Sequence, residues 1–183
     1  MLVVRPYNRM NAIRYAERWA FEQNPLFADF EEIGGNCTNF VSQCVYAGSC
    51  QMNYLSVFGW YYISLDDRTA SWSGVKYFYN FLVENMGLGP FGREVSEEQI
   101  EIGDVVQLYR ERVGFYHSLI VVGFSEEGIL VAAQSDDAYG RALSSYSYDR
   151  ARFLKIDGVR INSIEEGDCF QSVYDGVAIL PSR

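Results

Sequence analysis

The chain has 183 residues, a formal net charge of −9, and a hydrophobic residue content of 49%. This length and apolar content predict one folded domain with a sizeable core and exclude an intrinsically disordered chain. The acidic balance argues against nucleic acid as a partner, because phosphate binding needs a basic surface. No apolar run approaches the roughly 20 residues of a membrane-spanning helix, so no membrane span is expected.

The N-terminal segment bears on where the protein works. It reads MLVVRPYNRMNAIRYAERWA and lacks the long apolar core and small-residue cleavage site of a secretory signal peptide. We therefore expect a cytoplasmic protein for the chain as given, or an exported one if a leader has been removed.

The first half of the chain carries helical patterns. From Asn8 to about Glu22, apolar residues recur at three- and four-residue spacing with charged residues between them, which predicts an amphipathic helix. The apolar pattern resumes at Cys37 and ends at Gly48, which predicts a second helix. The segment SWSGVKYFYNFLVENMGLGP predicts a third, because serines can cap its start and glycine and proline close its end.

After Pro90 the pattern changes to short segments rich in β-branched residues. Turn residues separate the segments DVVQLY, HSLIVVGF, GILVAAQ and RFLKI, and each of the four predicts a strand. GFSEEGI, between the second and third, is typical of a hairpin. This order predicts an α+β fold in which N-terminal helices pack on a small antiparallel sheet. We assign residues 1–156 to this domain and expect residues 157–183 to form a C-terminal extension packed on it.

Three of the four cysteines fall close together, at Cys37, Cys44 and Cys50. Their spacing matches no CxxC redox or zinc motif, and with one histidine in the chain neither a metal nor a cofactor is expected. A chain of this size does not need disulfides, so the cysteines are expected to be free thiols. Cys44 falls on the apolar face of the predicted helix, which indicates core, whereas Cys50 falls in the loop beyond it.

Cys37 follows a Gly-Gly-Asn turn at the start of its predicted helix. The unpaired backbone N–H groups of a helix N-terminus stabilise a thiolate, and they can hold the oxyanion that forms when it attacks a carbonyl. Asn36 could donate to the same oxyanion or could cap the helix. The alternative is that Cys37 is a small residue that fills the helix start.

His117 is the one histidine of the chain and opens a predicted strand, so Cys–His chemistry must use it. If that strand pairs with GILVAAQ, Gln134 returns beside His117, where its amide oxygen could accept from the imidazole and orient the ring. The alternatives are a half-buried histidine bound to a backbone carbonyl and an ordinary polar strand end. Trp60 and Trp72 could line a substrate groove or belong to the core.

The chain resembles the bacterial putative amidase domain of the papain-like, NlpC-type peptidase superfamily. Four blocks carry the resemblance in order: YNRMNAIRYAERWAFEQNPLFADFEEIGGNCTNFVSQC, GWYY…SWSGVKYFYNFL, IGDVVQLY…HSLIVVG and VAAQSDDAYGRALSSYSYDRARFLKI. They extend from about residue 7 to residue 156. The resemblance implies a circularly permuted papain-like fold, with a nucleophilic cysteine leading a helix, a histidine at a strand start and a polar third residue. Those roles fall on Cys37, His117 and Gln134.

The resemblance also implies hydrolysis of an amide or peptide bond, typically in a peptidoglycan fragment or a related small peptide. One departure concerns the third residue. Where the family often has His-Thr-Asn-Asp, this chain has Gln-Ser-Asp-Asp, and Asp136 could orient His117 in place of Gln134. A catalytically silent module that binds a peptide or protein partner, and an acyltransferase on the same site, are the alternatives. The oligomeric state is left open by the sequence.

Overall fold

The computed structural model describes residues 1–162 and 168–179, in which helices and an antiparallel sheet form an α+β fold. The helices are α1 (Arg9–Trp19), α2 (Cys37–Ser49), α3 (Ala70–Ser73), α4 (Val75–Glu84) and α5 (Phe170–Tyr174). The strands are β1 (Leu2–Arg5), β2 (Gly89–Val95), β3 (Val105–Arg110), β4 (Gly114–Ser125), β5 (Gly128–Ala133), β6 (Ala138–Ala142) and β7 (Arg150–Asn162). The α+β prediction is thus confirmed.

All strand pairs in the described sheet are antiparallel, and they follow the path β1-β7-β3-β4-β5-β6. β2 also pairs with β7, on the edge opposite β3, because Phe153 is opposite both Val95 and Val106. The predicted hairpin is confirmed, with Ser125 of β4 opposite Gly128 of β5. The expected domain boundary at residue 156 falls inside β7. Of the expected extension, residues 163–167 and 180–183 lie outside the described residues.

The helices differ from the sequence prediction in three places. α1 ends at Trp19, three residues before the predicted end at about Glu22. α2 ends at Ser49, one residue beyond the predicted end at Gly48. A Cβ on Gly48 would lie 2.4 Å from Tyr7 Cε2. This glycine marks a close approach between chain segments rather than a helix stop. The predicted third helix is divided into α3 and α4 at Gly74, whose backbone is extended. No helix within residues 1–162 and 168–179 has the length and apolar character needed to cross a membrane.

The core holds both tryptophans that could have lined a groove. Trp60 and Trp72 are fully buried, with ring centroids 4.9 Å apart. Their indole N–H groups donate to Ser42 Oγ at 3.0 Å and to Asn39 Oδ1 at 2.9 Å, both on α2. Neither tryptophan is therefore available to contact a substrate, and both belong to the core.

Cys50 and Cys169 form a disulfide, with their Cα atoms 5.3 Å apart. The expectation of free thiols is therefore wrong for these two residues, whereas Cys37 and Cys44 are free and buried. The bond joins the C-terminal end of α2 to the residue before α5. Sequence spacing could not predict it, because the two cysteines are 119 residues apart and meet only when α5 packs against α2.

We expect Cys50→Ser/Cys169→Ser to lower the free energy of unfolding by about 2–4 kcal/mol, because the disulfide closes a long loop in the unfolded chain. Urea unfolding with and without dithiothreitol measures the effect. The reductant should lower the midpoint of the wild type and leave that of the double variant unchanged. Equal midpoints for the two proteins without reductant would contradict the prediction.

Candidate active site

The N-terminus of α2 is shaped by a glycine turn. Gly34 and Gly35 have φ angles of 138° and 92°, in the region that favours glycine, and they deliver the chain to Cys37, the first residue of the helix. The Asn36 N–H donates to Ser135 Oγ at 2.7 Å. The Cys37 N–H has no acceptor among the described residues, so one first-turn donor stays available beside the thiol.

The Asn36 side chain holds the loop before the helix. Its Oδ1 accepts from the Phe30 N–H and from Asn39 Nδ2, each at 3.0 Å, and its Nδ2 donates to Asp29 Oδ1 at 2.8 Å. It makes no capping bond to α2. The structure thus places Asn36 next to Cys37 but uses its amide to fix the loop, neither to cap the helix nor to face a substrate.

Cys37 and His117 line the same cavity, which has a volume of about 510 Å³. The strand containing His117 begins three residues earlier than predicted, at Gly114. His117 is opposite Leu108, but the next paired residue is Phe115, so Tyr116 is an extra residue in a β-bulge. Bulges re-aim neighbouring side chains, and here both Tyr116 and His117 reach the cavity.

The His117 imidazole is buried beside two aromatic rings. Its centroid lies 6.0 Å from that of Tyr116, in a stacked arrangement, and 6.1 Å from that of Tyr146. Burial lowers the pKa of His117 to about 4, an effect that the nearby Asp136 charge opposes and the Arg141 charge reinforces. The ring is therefore neutral near pH 7, which is the state that can accept a proton.

Gln134 lies close in sequence to the site, but its amide is directed to α1. Its Nε2 donates to the Trp19 and Glu22 carbonyls at 2.8 and 3.1 Å, and its Oε1 accepts from Gln23 at 3.4 Å. The structure therefore does not bring the Gln134 amide to His117.

The β4–β5 register explains this placement. Ile120 is opposite Ala132, and a bulge lies between Val121 and Gly123. Continued by two residues, this register puts Gln134 opposite Ser118 rather than His117. Because successive side chains of a strand point to opposite faces, a one-residue difference in register turns Gln134 toward the helices.

Asp136, the alternative third residue, does line the cavity. It and Ser135 have positive φ angles of 80° and 58°, which cost free energy in residues with a Cβ and are enriched at functional sites. The Ser135 hydroxyl holds this turn by accepting from the Asn36 N–H and donating to Glu31. Asp136 Oδ2 pairs with Arg141 Nη1 at 2.6 Å.

Several cavity residues were not expected from the sequence. These are Arg110, Tyr116, Ser135, Arg141, Ser145, Tyr146 and Ser147, which line it together with the glycine turn. Five of them, from Ser135 to Ser147, fall in the last block of the family resemblance, but nothing in that block indicates which side chains face the cavity. Within residues 1–162 and 168–179, no group of three or more His, Cys, Asp or Glu side chains is arranged to hold a metal ion.

Comparison with known proteins shows the family of the chain. The family model described as "Putative amidase domain" matches residues 6–156. The chain belongs to this family. A Bacillus subtilis (strain 168) relative, "Uncharacterized protein YhbB", is 34% identical over 139 residues, which cover 72% of this chain and 42% of the relative. The chain thus spans less than half the length of that protein. No solved structure matches.

We expect the His117 imidazole to titrate near pH 4 in the folded protein, because burial disfavours its charged form. Asp136→Asn should lower this pKa further, since it removes the charge that stabilises the imidazolium. Arg141→Gln should raise it, since it removes a like charge. Nitrogen-15 NMR measures the His117 pKa in the wild type and in both variants, and the imidazole signals are unambiguous because the chain has one histidine.

Gln134→Ala is the control, because that amide faces α1, and it should leave the pKa unchanged. A wild-type value near the ordinary 6.5 would contradict the burial of the ring.

Proposed function

We propose that the protein is a thiol hydrolase that cleaves an amide or peptide bond, with Cys37 as nucleophile and His117 as general base and acid. The observation that carries the proposal is that a cysteine at a helix N-terminus and the one histidine of the chain open into one cavity. Membership of the putative amidase domain family supports an amide bond as the target.

The proposed reaction has two stages. His117, neutral at pH 7, takes the proton of the Cys37 thiol as the sulfur attacks the carbonyl carbon. The imidazolium then gives that proton to the leaving amine as the C–N bond breaks, which leaves a thioester on Cys37. In the second stage His117 removes a proton from water, whose oxygen attacks the thioester, and the free acid and the thiol are released.

The oxyanion is held at the start of α2. The Cys37 N–H has no acceptor among the described residues, and the helix dipole adds positive potential there. The neighbouring Asn36 N–H is occupied by Ser135 Oγ. We therefore assign the oxyanion to the Cys37 N–H and give the Asn36 side chain the task of positioning the loop.

Asp136, rather than Gln134, is the third residue of the proposed site and acts on His117 through its charge. Its charge raises the pKa of His117 against the effect of burial, so it stabilises the imidazolium that forms during proton transfer. Arg141 holds the carboxylate through an ion pair of 2.6 Å. A cysteine-led helix packed on an antiparallel sheet that carries the histidine supports a papain-like, NlpC-type relationship.

We propose a peptidoglycan fragment or a related small peptide as substrate. The Cys50–Cys169 disulfide supports a location outside the cytoplasm, because disulfides persist in oxidising compartments. An exported protein would meet the peptides of the cell wall.

A second candidate function is a catalytically silent module that binds a peptide. It is favoured by one observation: the Gln134 amide faces α1, and no described residue makes a hydrogen bond to the His117 ring. The acyltransferase alternative uses the same thioester, with an amine or alcohol in place of water.

Cys37→Ala and His117→Ala should each abolish hydrolysis while leaving the fold intact, because each removes a group that handles the reacting atoms. The measurement is mass spectrometry of products from muropeptides and a peptide library, with circular dichroism to check folding. Cys44→Ala is the matched control and should retain activity, since Cys44 is buried in the core and burial raises the pKa of its thiol. Full activity in Cys37→Ala would disprove the mechanism.

A paired substitution tests which third residue acts. Asp136→Asn should lower kcat/KM about tenfold, because it removes the charge that stabilises the imidazolium and tenfold corresponds to about 1.4 kcal/mol of transition-state stabilisation. Gln134→Ala should leave kcat/KM nearly unchanged but lower the free energy of unfolding by about 1–3 kcal/mol, because it removes the two hydrogen bonds from the buried Gln134 amide to the Trp19 and Glu22 carbonyls. The reverse pattern would restore Gln134 as the orienting residue.

A further inference from the structure

One cation at the cavity has no part in the proposed bond cleavage. Arg110 is the last residue of β3, is exposed, and lines the cavity that contains Cys37 and His117. The net charge of the chain is −9, so the positive charge of Arg110 in the cavity is opposite in sign to the net charge of the protein.

The Arg110 guanidinium is held in place by neutral groups. Its Nε and Nη2 donate to the Ser147 carbonyl at 3.3 and 3.0 Å, and its Cζ lies 4.8 Å from the centroid of the Tyr116 ring. These contacts orient the side chain without neutralising its charge. A guanidinium already ordered in this way loses less entropy when it binds a further group.

Arg141, the other arginine of the cavity, is in a different situation. Its charge is balanced by Asp136, with 2.6 Å between Nη1 and Oδ2. Arg110 forms no ion pair with any described residue. Of the two arginines that line the cavity, Arg141 is thus ion-paired and Arg110 has no ion-pair partner among the described residues.

The unused donors of Arg110 suit a planar anion. A guanidinium has five N–H donors in a rigid fork, and the bonds to Ser147 use Nε and one side of Nη2. Nη1 and the second hydrogen of Nη2 remain, a pair that matches the two oxygens of a carboxylate. On a peptide substrate, such a group is either the C-terminal carboxylate or an acidic side chain.

We infer that Arg110 is a substrate-binding residue that anchors a carboxylate, so that the cavity takes peptides with a free carboxylate close to the bond that is cleaved. The inference rests on the proposed hydrolase function and adds the class of substrate. Arg110 binds without touching the reacting atoms, so its loss should raise KM more than it lowers kcat.

The test uses a tetrapeptide library prepared in four matched versions. The C-terminus is a carboxylate or a carboxamide, and the internal acidic position is Glu or Gln, so the two sources of a carboxylate are separated. Wild-type protein should cleave at least one carboxylate version about tenfold faster, in kcat/KM, than its neutral match. Arg110→Gln should remove this preference: its kcat/KM should fall about tenfold on the carboxylate version and stay unchanged on the neutral match, as expected for the loss of one charge-assisted hydrogen bond.

Arg112→Gln is the matched control. Arg112 lies two residues away and is exposed, but it does not line the cavity. It removes the same charge from the protein, so any long-range effect of net charge appears equally in both variants. Arg112→Gln should keep the wild-type preference, and an equal loss in the two variants would overturn the inference.

Binding of the same four versions to Cys37→Ala, measured by calorimetry, separates this inference from the proposed function. If no Cys37-dependent cleavage occurs but Cys37→Ala binds the carboxylate versions more tightly through Arg110, the hydrolase proposal fails and the anchor stands. If cleavage depends on Cys37 but Arg110→Gln keeps the wild-type ratio of kcat/KM between charged and neutral versions, the proposed role of Arg110 in binding a carboxylate is disproved. Absence of any carboxylate preference in both assays also disproves it.

Discussion

The complete burial of α2 is the constraint on which the rest of the structure depends. All thirteen of its residues are buried, including several polar ones, and a buried polar group without a partner costs about 1–3 kcal/mol. Thr38 and Asn39 have partners on other elements: Thr38 meets Ser118 of β4 at 2.9 Å, and Asn39 accepts from Trp72 of α3. These bonds fix the rotation of the helix, and so the direction in which Cys37 faces.

The same constraint connects the core to the chemistry. The turn after β5 reaches the helix start through Ser135, whose hydroxyl accepts from the Asn36 N–H. Because Asp136 follows directly, that contact also places a carboxylate in the cavity of His117. One turn thus supplies both Ser135, which lines the cavity, and Asp136, whose charge acts on His117. Both residues have positive φ angles. Ser135 is held by its bonds to Asn36 and Glu31, and Asp136 by its ion pair with Arg141.

Much of the fold follows from local pattern. The apolar spacing predicted α1 and α2, and the β-branched segments predicted β3, β4, β5 and β7, because side-chain periodicity depends on neighbours in the chain. Gly48 and Gly74 show where local reasoning is insufficient: the first sits under a tyrosine ring and the second divides a helix. The presence of a glycine in the sequence does not indicate whether it ends a helix or allows two chain segments to approach closely.

By itself, the sequence determined the order of α1, α2, β3, β4, β5 and β7, the cysteine at a helix N-terminus and the single histidine of the chain, but it did not mark β1, β2, β6 or α5. Tertiary structure alone decided the rest of the site: the pairing of Cys50 with Cys169, the turning of Gln134 toward α1 and the place of Asp136 beside His117. The reason is that each depends on contacts between distant segments. A bulge that shifts strand register by one residue moves a side chain to the opposite face of the sheet, and no local pattern records that shift.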